Sequence, residues 1–220
     1  MENTQTQPFY MIDAANQNPN IHHKSYKTDK HEYNILTYDK NMICNDDFET
    51  AKYRSVVFSQ EKLVSFAPPK SIPKDQFIKK YPDNGVQIPN TIHITETIEG
   101  TMINLFYDFP NQTWELATKN AVGGRYWYFR NNSPPRTFRD MFMDAIGEKD
   151  YADLNQTKLV ANLPTDCCYS FVLQHPENHF VHEVDQARLF LVAVYQIQGD
   201  MARYLSLPYI SNLTVIRELS

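Results

Sequence analysis

Residues 91–108, TIHITETIEGTMINLFYD, limit the fold more than any other part of this chain. Ile92 and Ile94 alternate with polar residues as a strand does, a polar turn is centred on Glu99-Gly100, and residues 102–107 read as a second strand. A glycine beside an acid at such a turn lets the backbone bend sharply or come close to a ligand. The same pattern also fits an ordinary hairpin, with Glu99 capping its turn. In the second strand Asn104, Phe106 and Asp108 alternate with Ile103, Leu105 and Tyr107. Neither set is purely polar, so both faces of this strand are expected to be covered.

A chain of 220 residues is long enough for one domain with a substantial core. With 14 Tyr, 13 Phe, 13 Pro and only 6 Gly, it suits a mixed sheet protein with proline-punctuated loops, not a repeat or a disordered chain. The formal net charge of -5 argues against a global pull on nucleic acid and leaves room for a local basic groove. Of three cysteines, Cys167 and Cys168 are adjacent in a predicted strand and should point to opposite faces, which gives neither a metal site nor a redox pair. A reducing compartment follows more simply. No signal-like run begins the chain and no stretch approaches ~20 apolar residues, so a soluble, intracellular, non-secreted protein is expected, with no membrane partner.

Taken in order, residues 1–34 read as a polar N-terminal arm pinned by the apolar segment 9–12, and residues 35–220 as a single domain. Residues 35–38 form a short strand, and Asn45-Asp46-Asp47 reads as a turn or a helix cap before residues 48–53. Residues 55–58 and 62–66 read as a hairpin that Pro68-Pro69 ends. Pro73 suits a helix start before residues 75–81. Residues 113–118 should lie antiparallel to 102–107, and Lys119, Gly123, Gly124 and Arg125 could bring backbone and cations to a phosphate or form a solvated loop. Residues 126–129, aromatic throughout between Arg125 and Arg130, could stack bases and hold phosphates; core with flanking charges is the preferred reading. A helix is predicted over 133–146, with Phe138, Met141, Phe142, Ala145 and Ile146 as its apolar stripe and Gly147 as its stop. Residues 155–161 read as a short helical segment, 167–174 and 187–196 as strands, and residues 204–210 as the start of a further element.

The first of these stretches, in its frame Thr97-Ile98-Glu99-Gly100, resembles the Lys-x-Asp/Glu-Gly adenylation motif of covalent nucleotidyltransferases. Tyr53-Arg54-Ser55-Val56-Val57-Phe58, Phe66-Ala67-Pro68-Pro69-Lys70-Ser71, Ala117-Thr118-Lys119-Asn120 and the segment 169–178 resemble, in the same order, further segments of phage and large-virus ATP-dependent RNA ligases. The resemblance implies an α+β fold with mixed or antiparallel sheets and packed helices, similar to the nucleotidyltransferase domain of those ligases. It implies ATP and Mg²⁺ as cofactors if the family activity is retained, and RNA ends or nucleotide as partners. Arg54, Glu99, Gly100 and Lys119 would hold the nucleotide, and Lys70 and Arg125 would contact nucleic acid; for a metal ligand the resemblance offers only Glu99, which would contact the ribose or the metal.

Two departures matter. Thr97 stands where the family has its nucleophilic lysine, and threonine has neither the amine nor the reach that the covalent step needs. Val172 stands where a glutamate is usual, and the family's later Glu-Gly-hydrophobic and Lys-x-Lys motifs do not follow. No catalytic residue is therefore assigned, and Lys119 is read as a phosphate contact and not as a nucleophile. The expectation is an RNA ligase-like domain without autoadenylation that keeps nucleotide or RNA-end binding. A fragment or variant of an active ligase is one alternative, and a viral structural module bound to other viral proteins is another.

Overall fold

In the computed structural model, residues 9–41, 47–80, 97–127, 135–149, 153–178, 181 and 183–205 are described. They build two antiparallel sheets and a set of short helices. The strands are β1 (Phe9–Met11), β2 (Ile21–Lys27), β3 (Glu32–Tyr38), β4 (Val56–Ser59), β5 (Lys62–Phe66), β6 (Thr101–Asp108), β7 (Thr113–Thr118), β8 (Ala121–Val122), β9 (Cys167–Gln174), β10 (Arg188–Gln198) and β11 (Met201–Tyr204). The helices are α1 (Phe48–Ala51), α2 (Lys74–Lys80), α3 (Phe138–Ala145) and α4 (Lys158–Ala161), with a 3-10 turn at Leu154–Gln156. The larger sheet has the order β1-β11-β10-β9-β6-β7-β8 and the smaller β2-β3-β4-β5. The coarse expectation of an α+β protein with antiparallel sheets is met.

The larger sheet is the middle layer. On one face Ile103, Leu105, Cys167 and Phe171 pack with Phe138, Met141 and Phe142 of α3 and with Leu154 and Leu159. On the other, Phe106, Cys168 and Tyr195 share a cluster with Tyr33, Ile35 and Phe66 of the smaller sheet. Edge-to-face ring pairs tie the sheets together, with centroids 6.3 Å apart for Tyr33–Phe106 and 4.8 Å for Phe66–Tyr195. The strand period explains the layering: Cys167 and Cys168 fall in different clusters, as do Leu105 and Phe106.

Several local elements follow their chemistry. The Asp47 side chain accepts the Thr50 N–H and caps α1. Gln60 and Glu61 both have positive φ, 46° and 64°, which gives β4 and β5 the tight primed turn that suits strand twist. Helix α3 begins at Phe138, later than the predicted span 133–146. Thr137 caps it and Asp140 returns the bond, a reciprocal capping box that fixes the start.

One expectation is corrected. Residues 9–34 are not a loose arm: β1 pairs with β11, and β2 pairs with β3 along its whole length. The exposed, polar side chains of β2 hid a strand whose backbone is held by its neighbour. The strand expected at 92–94 lies outside the described residues; β6 takes β7 and β9 as partners, both sides of Asn104–Phe106 being occupied. The element expected over 204–210 lies, beyond Leu205, outside the described residues; ahead of it the Gly199-Asp200 turn folds β11, a strand the sequence reading lacks, straight back on β10. Tyr128 and Phe129, half of the aromatic run, lie outside the described residues. Among those residues, no helix is long and apolar enough to cross a membrane.

Candidate functional site

Where the two sheets meet, the approaches to β4 and β6 and the end of β7 enclose a cavity of about 210 Å³. Ser55, just before β4, sets this seam: its hydroxyl donates to the Thr118 carbonyl (3.2 Å), and its carbonyl accepts the Ala67 N–H (3.1 Å). That pins Arg54, just upstream of β4 in the smaller sheet, beside Lys119, which follows β7 of the larger. Gly100, Thr101, Met102 and Asn104 complete the wall. Asn104 is fully buried and accepts the Ser170 hydroxyl through Oδ1 (2.7 Å), which fixes a polar floor inside an apolar sheet. The Thr118 hydroxyl meets that of Tyr126.

The electrostatics of the cavity are one-sided. Burial lowers the pKa of Lys119, and the charges of Arg54 and Lys40 push it the same way, opposed by Asp39. Its Nζ lies over the Tyr38 ring, 4.4 Å from the centroid. Among the described residues neither Arg54 nor Lys119 has a carboxylate salt-bridge partner within 4.0 Å. Two cations held together against their repulsion, with hydroxyl and amide groups beside them, form a site suited to an anion. The volume lies below the 300 to 1,000 Å³ or so of drug-sized pockets and suits a phosphate or sugar phosphate.

Gly100 is required by the fold itself. Its φ is +151°, and a Cβ built there would lie 2.5 Å from the Leu173 carbonyl oxygen and 2.7 Å from Val172 Cγ1. The close approach that glycine permits is to β9.

Of the residues singled out in the sequence, Arg54, Gly100 and Lys119 are brought together. Glu99 adjoins the cavity without lining it: its carbonyl accepts from Gln174 Nε2 (2.9 Å) and its Oε1 accepts the Val181 N–H (2.8 Å). Thr97 is exposed and lies outside the lining, as do Lys70, whose N–H donates to the Ala51 carbonyl, and the exposed Arg125. Sequence reasoning missed Asn104, Thr118 and Tyr38. Asn104 carried a signal, an amide in the middle of an apolar strand; Tyr38 carried none, because its contact with Lys119 joins two sheets.

A larger cavity of about 480 Å³ lies over Leu36 and Phe58 of the smaller sheet. Its rim mixes His23 and Lys24 with Glu61, so no single charge converges on it. No protein-family model matches this chain, and no curated protein matches it.

Proposed function

We propose that this chain is an RNA ligase-like nucleotidyltransferase domain that binds the phosphates of a nucleotide or an RNA end and forms no enzyme–nucleotide adduct at residue 97. One observation carries the reading: Arg54 and Lys119, matched to phosphate-contacting segments of those ligases, converge on a single cavity with Gly100. The donors present fit the anionic part of ATP. A guanidinium can grip two phosphate oxygens at once, and a partly buried ammonium supplies a point charge. Among the described residues no cluster of three or more His, Cys, Asp or Glu could hold a metal ion, and Mg²⁺ at such sites is carried largely by substrate phosphates and water.

The test is incubation with α-labelled ATP and Mg²⁺ or Mn²⁺, followed by a denaturing gel, for the parent protein and Thr97→Lys. The proposal expects no covalent label on the parent. Label on Thr97→Lys alone would mean that the pocket lacks only the amine. Label on the parent would overturn the reading, because another residue would then be the nucleophile.

A further inference from the structure

A group of ionisable side chains meets where α3 packs against the turn after β9. His175 is 2% exposed. Its Nδ1 accepts the backbone N–H of Glu177 (3.1 Å), so the ring proton of the neutral imidazole sits on Nε2 and is donated to Asp144 Oδ2 (3.0 Å). The same carboxylate oxygen lies 3.2 Å from Arg136 Nη1, which is also 3.8 Å from Glu177 Oε1. Burial works against the Asp144 charge, yet the bond from His175 and the charge of Arg136 outweigh it and hold the carboxyl below its usual range. Both imidazole nitrogens are thus engaged, so His175 holds structure in place.

What it holds leads back to the cavity. His175 and Asn178 pair across the turn, and the Asn178 N–H donates to the His175 carbonyl (2.9 Å). Asn178 Nδ2 donates to Thr101 Oγ1 (2.9 Å), and Gln174 Nε2 donates to the Glu99 carbonyl (2.9 Å). The last residue of β9 and the turn after it therefore hold the chain on either side of Gly100, and Gly100 and Thr101 form one wall of the cavity.

We propose that His175 is a positioning residue for the anion cavity: braced by Asp144 and Arg136, it locks the 175–178 turn, and the turn sets the 99–101 wall opposite Arg54 and Lys119. The functional half of this inference rests on the reading of the cavity as a phosphate site. The structural half does not.

The experiment measures local hydrogen exchange and pyrophosphate affinity on the full chain, for the parent, His175→Ala, His175→Gln and Asp144→Ala. Loss of these bonds should speed exchange over residues 97–103 about tenfold and weaken pyrophosphate about fivefold, with β4 and β5 unchanged. The glutamine side chain can donate to Asp144 and accept from the Glu177 N–H, so His175→Gln should restore both. Asp144→Ala, at a half-exposed position, should give the same local signature even where His175→Ala does not fold. Exchange over 97–103 that stays at the parent level, or rises equally throughout the sheets, would overturn the proposal, as would a glutamine variant no better than alanine. A parent protein that ignores pyrophosphate would overturn the cavity reading and the functional half with it, while the exchange data decide the brace separately.

Discussion

Gly100→Ala is the sharpest perturbation of the wall that joins β6 to β9. The substitution acts twice. At φ +151° an L residue is strained, and such a conformation costs about 1–3 kcal/mol. The new Cβ would also fall 2.5 Å from the Leu173 carbonyl oxygen, a backbone atom that cannot rotate aside. Forcing a carbon into a packed site typically costs a further 1–3 kcal/mol or so. Thr101 is paired with Leu173 on β9, so relief requires β6 to move away from β9 at the cavity itself. A combined loss of about 4 kcal/mol corresponds to a fall in Tm of roughly 8–16 °C for a domain of this size. Thermal unfolding followed by circular dichroism reads it, and pyrophosphate affinity should fall with it. A variant that melts within about 3 °C of the parent would refute the reasoning, because both the strain and the clash would then be absent.

Two further outcomes follow from the ionisable groups. The Lys119 pKa is lowered in the folded protein, so the amine begins to lose its proton at a lower pH than an ordinary lysine. Anion affinity should therefore decline on the alkaline side below pH 10.5, with proton uptake on binding in that range, and Lys119→Arg should move the decline upward; calorimetry in buffers of different ionisation enthalpy measures both. Burial pushes the thiols of Cys167 and Cys168 up to about 12, so native protein at pH 8 should resist alkylation at both, and unfolded protein should not, as peptide mass spectrometry would show.

Much of the fold was legible because short-range chemistry decided it. Asp47, the β4–β5 turn and the opposite faces of Cys167 and Cys168 follow from capping, backbone conformation and strand parity. Strand β2 was not legible, since its outward side chains are polar and it is held by pairing with β3. Nor was β11, whose Met201-Ala202-Arg203-Tyr204 carries little strand signal before Gly199 folds it back. The site was legible in part. Pattern alone left Arg54 and Lys119 as two cations 65 positions apart, 119 less 54. Their convergence depends on the Ser55–Thr118 bond between sheets, a long-range contact that no local pattern encodes. Gly100 stood out as a glycine suited to a close approach, and the approach in the structure is to the backbone of β9. His175 was missed because its partner Asp144 lies on a helix 31 residues away.

The central claim is that Arg54 and Lys119 make the seam between the sheets an anion site. Calorimetric titration of pyrophosphate into the parent protein and the Arg54→Ala/Lys119→Ala double variant at low salt tests it most directly. Binding by the parent should weaken as salt rises, and the double variant should bind at least about tenfold more weakly, since two charge-assisted contacts are removed. Equal affinity in the two proteins, or no binding by the parent, would contradict the claim.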